Sequence, residues 1–254
     1  MPFAAGLSEH PVAGEAVGEV TGQVLEALGP APDLALLLVT GDYAGLLGDL
    51  AEVVRRVLSP TALVGCAAVS VLANGHEVEE TPAVVLWAGR VGPVHPVHLG
   101  AGRPPADPPF EPSALILLGD PFSFPAEQAF ADVAARWPGL PVVGGMASAA
   151  RQPGASRLLI GGQVVSTGAV GVFLGPGVEV ETVVSQGCKP IGRPYAVTRS
   201  EVNVVHELAG KPSIARLLEI AEKELSEQEL AILNRGGLHV GRVIDEHKTD
   251  FERG

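Results

Sequence analysis

The sequence predicts an α/β protein with mixed β-sheets and flanking helices, made of two internally related halves and a helical C-terminal segment. Three observations predict it. Apolar runs of strand length alternate with amphipathic stretches of helix length. A strand–helix–strand pattern followed by a strand pair occurs twice, with a period of about 80 residues. Beyond the stretch VSQGCKPIGR at 184–193, the pattern becomes mainly helical.

Taken in order, residues 2–7 predict a short strand. Residues 12–28 predict a helix, with Val17, Val20, Val24, Leu25 and Leu28 near helical spacing and Gly29-Pro30 as the stop. The run LALLLVT at 34–40 is a buried strand. Residues 43–58 are amphipathic, with Leu46, Leu47, Leu50, Val53, Val54, Val57 and Leu58 on one face. A second buried strand at 62–68 carries Gly65 and Cys66, and Asn74-Gly75 signals a turn. Strands at 83–88 and 94–99 follow, joined by a glycine-containing turn. The proline-rich stretch 100–112 reads as a linker or surface loop.

The pattern then begins again. A strand at 114–118 ends in Gly119-Asp120, a helix spans 125–137, and a strand at 142–146 carries Gly144 and Gly145. A hairpin at 157–166 turns at Gly161-Gly162, and strands at 169–174 and 178–185 close the half. Gly41-Asp42 aligns with Gly119-Asp120, and Gly65-Cys66 with Gly144-Gly145, giving halves of about 33–100 and 113–186. Strand ends in α/β sheets are favoured ligand positions. In VSQGCKPIGR, Pro190 and Pro194 cannot donate to a ladder, so Gly187, Cys188 and Lys189 fall in a non-repetitive loop. Short strands at 195–198 and 203–208, a turn at Ala209-Gly210, and a helix at 212–223 follow. A second helix at 226–233 starts with the capping box Ser226–Glu229, and a strand at 238–244 comes last.

Composition narrows the function. Apolar residues make up 46% and charged residues 18%, enough for a large core. A net charge of −12 speaks against a nucleic-acid backbone or an anionic membrane as partner. Two cysteines far apart, with no CxxC, fit a reducing cytoplasm. The N-terminus lacks the basic and apolar regions of a signal peptide, and no apolar run reaches the ~20 residues of a membrane helix. No cofactor or metal is expected: His95 and His98 bracket Pro96, the other histidines stand singly, and neither a phosphate loop nor a GxSxG elbow occurs. No catalytic residues are assigned, although Cys188, beside Lys189, has the setting of a reactive thiol. Its plainer reading is a small buried side chain. The plainer reading of Asp42 and Asp120 is charge placed at helix N-termini.

Several segments carry a family resemblance: GDYAGLLGDLAEVVRRVL, ALVGCAAVSVLANGHEVEE, LLGDPFSFPAEQAF, LPVVGGMASA, GGQVVSTGAVGV, VSQGCKPIG and VTRSEVNVVHELAGKPSI. With these, the chain resembles the FIST family (F-box and intracellular signal transduction proteins) over nearly its whole length. The sequence departs from the family pattern at Val202, where a glycine is usual, and at His206, where a tyrosine is common. The resemblance implies an N-terminal sensory domain over 1–205 and the start of a shortened C-terminal part over 206–254. It also implies a cytoplasmic signal-transduction role, with a small-molecule ligand such as an amino acid and a downstream signalling protein as partners. For an amino acid, the backbone N–H groups of Gly144-Gly145 or Gly187-Cys188 are candidate carboxylate donors. Lys189, Arg193 and Arg199 are candidate cations, and Asp120, Glu201 and Asn203 candidate amine acceptors; Gly65 and Cys66 mark the equivalent strand end. Two alternatives are a structural protein-interaction module and an enzyme with Cys188 as nucleophile.

Overall fold

The computed structural model of the chain describes residues 2–79, 81–100, 105–182, 190–201, 204–234 and 238–241. The chain divides into two compact units, Met1–Thr182 and Val183–Gly254.

In the first unit the elements run β1 (Phe3–Ser8), α1 (Ala13–Leu28), β2 (Leu34–Thr40), a 3-10 segment (Gly41–Leu46) and α2 (Leu47–Leu58). Then come β3 (Ala62–Ala68), β4 (Ser70–Ala73), β5 (His76–Glu79), β6 (Val84–Gly89) and β7 (Val94–Leu99). The second half brings β8 (Ala114–Gly119), α3 (Ala126–Arg136), β9 (Val142–Met146), β10 (Leu158–Ile160), β11 (Gln163–Val165) and β12 (Ala169–Leu174). The single helix expected over 43–58 is thus split, its first part being wound as a 3-10 segment from Gly41.

Strand alternation sorts these elements into four layers. Ala35, Leu37 and Val39 of β2 join Leu63 and Ala67 of β3 and Val84, Leu86 and Ala88 of β6 in one core. The covering helices supply Val17, Val20 and Val24 from α1 and Leu47, Leu50, Val54 and Leu58 from α2 to that core. Each such side chain contributes about 1.5–3 kcal/mol on burial. The opposite face of the same sheet, with Leu34, Ala62 and Val64, packs on Ala114, Val172 and Leu174 of the second sheet. That second sheet turns Leu115, Leu117, Ala169 and Phe173 outward to Val133 and Trp137 at α3, with the Trp137 and Phe173 rings 4.9 Å apart. The layers are therefore helices, six-stranded sheet, four-stranded sheet, helix.

The two sheets repeat one plan. The first reads β1-β6-β2-β3, extended by β10-β11; the second reads β7-β12-β8-β9. In each, the outer strand, its neighbour and the next are antiparallel, and the last pair is parallel. The halves are internally related, and β7 opens the second half. The expected hairpin of 83–88 with 94–99 does not form, because both edges of β6 are taken by β1 and β2. For the same reason no strand forms over 178–182: β12 already lies between β7 and β8, and Val178 and Val180 pack against the inter-sheet core instead. Residues 183–185 of that expected strand lie outside the described residues.

Register places the glycines. Gly65 faces Leu37 across the parallel pair, and Gly144 faces Leu117. A Cβ on Gly65 would lie 1.9 Å from the Leu37 carbonyl oxygen, and one on Gly144 1.8 Å from that of Leu117. Gly144 also has φ +143°, which side-chain-bearing residues rarely adopt.

The second unit holds β13 (Val197–Glu201), β14 (Val204–Leu208), β15 (Lys211–Pro212), α4 (Ser213–Glu224) and α5 (Glu227–Asn234). Its three strands form one antiparallel sheet. Ser213 Oγ donates to Val205 O at 2.8 Å, tying α4 to the sheet. The capping box at α5 is formed: Ser226 N donates to the Glu229 carboxylate at 2.8 Å, and Glu229 N to Ser226 Oγ at 3.3 Å. Residues 238–241 form no strand, and the remainder of the strand expected at 238–244 lies outside the described residues.

The close approach at Gly65 is testable. Gly65→Ala is expected to lower the unfolding free energy by about 3 kcal/mol, the upper range for overpacking against an unyielding neighbour. Gly18→Ala, on the exposed side of α1 where a Cβ meets nothing within 4 Å, is expected to raise it by about 0.5–1 kcal/mol. Urea unfolding of the two variants beside the parent checks both signs.

Candidate functional site

The carboxyl ends of β2, β3, β8 and β9 lie at one end of the first unit. The chain leaving β9 crosses between the sheets there: Val69 N donates to Ser148 Oγ at 3.0 Å, and Ala149 N to Ala67 O at 3.5 Å. Ala67 N in turn donates to Arg157 O at 3.0 Å. This is the strand-end region in which the sequence places several candidates.

Asp120 organises it. The side chain is fully buried and accepts hydrogen bonds from Ser123 Oγ at 2.5 Å and Ser156 Oγ at 2.6 Å. Ser123 Oγ also accepts from Gly168 N at 2.9 Å, and Asp120 N donates to Gly168 O at 2.8 Å. The loops carrying Ser123 and Ser156 thus meet on one carboxylate, and Gly168 is tied in through Ser123 Oγ and the Asp120 backbone. Burial pushes its pKa up, but the hydrogen bonds from Ser123, Ser156 and the backbone N–H groups of Phe122 and Ser123 outweigh this and hold it below the usual carboxylate value.

Register corrects the alignment of the halves at this point. Leu37 and Leu117 are equivalent, so Asp120 corresponds to Thr40, not Asp42. The hydrogen bonds agree: Thr40 N donates to Ala83 O at 3.0 Å, as Asp120 N does to Gly168 O. Ala83 N donates to Thr40 Oγ1 at 2.8 Å, where Gly168 N uses Ser123. Asp42 is exposed on the 3-10 segment.

The remaining candidates fall in three places. Gly65 and Cys66 are inside: Cys66 lies between the sheets with Ala147, Leu158 and Val170, and burial pushes its thiol pKa up to about 12. Gly144 and Gly145 are exposed on β9, the edge strand of the four-stranded sheet. In the second unit, the Arg193 guanidinium lies over the Tyr195 ring at 5.4 Å from its centroid. Arg216 approaches the same ring at 5.1 Å. Arg216 is held by Leu208 O, Ala209 O and Glu219, and Arg199 pairs with Glu207 at 3.1 Å. Nε2 of His206 is 3.8 Å from the Glu201 carboxylate. Gly187, Cys188, Lys189, Val202 and Asn203 lie outside the described residues.

Sequence reasoning missed Ser123, Ser156, Tyr195 and Arg216. Ser123 had a local signal, since a serine three residues after an aspartate is a turn pattern. Ser156 is brought to Asp120 only by the tertiary fold.

Two depressions lie beside α3. One of about 30 Å³ lies between Leu99, Phe124 and Gln128, room for about a single water molecule. The other, about 530 Å³, is lined only by residues of the Pro125–Ala131 stretch and has no opposing wall. No group of three or more His, Cys, Asp or Glu suited to a metal ion occurs among the described residues. Nor is any helix among them long and apolar enough to cross a membrane.

Two helix-backed sheets of one strand order, packed face to face and followed by a small α/β unit, define a duplicated four-layer sandwich. Within that class the chain belongs to the FIST N domain family, whose model matches residues 33–211. It is 38% identical to an uncharacterized protein of Mycobacterium bovis and to one of Mycobacterium tuberculosis, in each case over 256 aligned positions and 97% of this chain. A second uncharacterized protein of Mycobacterium tuberculosis is 37% identical over the same share. The chain spans 66% of the length of these relatives.

Two outcomes are expected. Asp120→Asn places an amide N–H₂ against hydroxyl donors and is expected to cost about 1–3 kcal/mol. The folded pKa of Asp120 is depressed, so its contribution is complete above the unfolded value of about 3.9 and fades as pH falls through the lower folded value. The parent and Asp120→Asn stabilities should therefore converge below about pH 4, as followed by denaturant titration across pH. In a Cys188→Ala background, Cys66 should remain unlabelled by a thiol reagent near neutral pH until denaturant is added, as mass spectrometry would read.

Proposed function

We propose that this chain is a small-ligand sensory module of signal transduction, with an amino acid as the ligand class. Membership of the FIST N domain family carries the reading. The contact we assign to the ligand is Arg193 beside Tyr195 in the second unit. Arg199 and Arg216 each have a carboxylate partner, whereas the charge of Arg193 is met by a ring alone among the described residues. A ligand carboxylate is a matching partner for this exposed guanidinium, through a charge-assisted hydrogen bond. Asp120, buried and held by its loops, is left out of this site, as are Gly65 and Cys66. In this reading residues 1–205 form the sensory domain and 206–254 begin a second, C-terminal region, with a cytoplasmic location and a downstream protein as receiver.

A second reading, a protein-interaction module, is favoured by one observation. Ile214 and Leu218, one helical turn apart on α4, are 63% and 56% exposed.

A thermal-shift screen against the amino acids separates the two. A ligand at 100 times its Kd adds about 2.7 kcal/mol, a rise of roughly 5–10 °C. The sensory reading expects a selective shift that Arg193→Ala abolishes with the unliganded Tm unchanged. A screen with no selective shift on folded protein overturns it in favour of the interaction module.

A further inference from the structure

The two halves differ at one edge, and the difference identifies an interaction surface. Strands β3 and β9 are equivalent, each the parallel partner at the end of its repeated set, with Gly65 matched by Gly144. The outer edge of β3 is occupied: β10 lies along it antiparallel, with Leu159 opposite Gly65. Gly161 N donates to Leu63 O at 2.7 Å, and Ala67 N to Arg157 O. The equivalent groups on β9 are Val142 O and Met146 N. They point away from β8, because the parallel ladder takes Pro141 O and Ala147 N, which bond Leu115 N and Gly119 O. No other strand pairs with β9 among the described residues.

Nothing on β9 protects this edge. Its sequence, VVGGM, carries no charge and no proline. A Cβ on Gly145 would meet nothing within 4 Å. On the helical side, Met146 and Phe130 are 45% and 46% exposed, and Phe130 packs edge-on to Phe124. The matching place in the first half is filled by Leu159, fully buried with Leu50, Ala51 and Val54 of α2.

We propose that the outer edge of β9 binds an extended segment of a partner polypeptide as an added antiparallel strand, with a large aliphatic side chain opposite Gly144. The occupant's chemistry follows from β10, whose Leu158, Leu159 and Ile160 run consecutively against Cys66, Gly65 and Val64. It gives an N–H to Val142 O, takes the N–H of Met146, and sets its central aliphatic beside Phe130 and Met146. A net charge of −12 on each chain opposes pairing with a second copy, so the segment belongs to a different, neutral or basic polypeptide.

The probe is a synthetic peptide of residues Ser156–Ser166, which carries the strand that fills the equivalent edge. Amide hydrogen exchange in the full chain is followed with and without it. Exchange at Gly144 and Met146 should slow at least tenfold at saturating peptide. A peptide with Leu159→Asp should give no slowing, and Gly144 should not slow in the chain variants Met146→Pro, which has no N–H at 146, and Met146→Lys, each checked for a parent-like Tm. Unchanged exchange at β9 with the parent peptide overturns the proposal. So does slow exchange at β9 in the dilute chain alone, or a dimer in sedimentation that Met146→Lys dissociates, which would assign the edge to a second copy.

Discussion

At Gly65 and Gly144 the backbone of one strand lies where a side chain of its neighbour would be, and the rest of the sandwich depends on that approach. The Leu37 and Leu117 carbonyls occupy the two places. A β-carbon at either point drives apart a parallel pair at the middle of its length. In the first half the consequence reaches the helical layer, because the residue across from Gly65 is Leu159, buried beneath α2. Leu159 is buried in one cluster with Leu50 and Val54. The inter-sheet layer obeys a related restriction. Its buried centre is aliphatic, with Ala62, Val64, Ala114 and Val172 beside Leu34 and Leu174, and Trp87 packs against it as a partly buried aromatic. With aromatics at 4% of the sequence, the core has to be of this kind.

Much of this was legible in the sequence, for a physical reason that also marks where legibility stopped. Strand β3 is a continuous apolar run after Ser59-Pro60, and its observed bounds match those read from that run. The hairpin β10-β11, the end of α1 and the capping box of α5 announce themselves within a few residues. Pairing does not. The β6 and β7 segments are neighbours in sequence with a glycine-containing turn between them, the local signature of a hairpin, yet they lie in different sheets. What decides is that β6 has no free edge, a fact about strands roughly 50 and 80 residues away in sequence that no local pattern records. The same holds for Asp120. Its glycine neighbour suggested alignment with Asp42, while the ladder pairs it with Thr40, a residue of different chemistry making the same backbone bond.

Threonine in one half and aspartate in the other show how the halves differ. Thr40 closes its link to residue 83 with a single hydroxyl. At the equivalent link, Asp120 brings in Ser123 and then Ser156, from a loop absent in the first half. A buried carboxylate is costly unless its lone pairs are all met. Meeting them gathers the loops at 121–125 and 147–157 onto one atom group, with Gly168 held one step away through Ser123 Oγ. The strand-end polar chemistry of the first unit is therefore turned inward, to fix loops. In the second unit Arg193 lies exposed on an aromatic ring, while Arg216 is largely buried and bonded to carbonyls of the 208–209 turn.

The repeated plan also explains why the two halves form one unit and not two. A half consisting of four strands and its helices would leave the last strand's outer edge bare. In the first half that edge is closed by a hairpin that belongs, by chain order, to the second. Removing the second half would therefore take from the first its inter-sheet partner, the strand along β3 and the leucine under α2 together. Stability of the first half is contingent on the second through main-chain bonds as well as apolar burial. The dependence runs one way at the edges, since the hairpin of the first half, β4-β5, packs its Val71 and Val78 against Val85 and Leu7 and does not return to β9. The repeated plan is thus an arrangement in which one half is closed by the other, while no further strand pairs with β9 among the described residues.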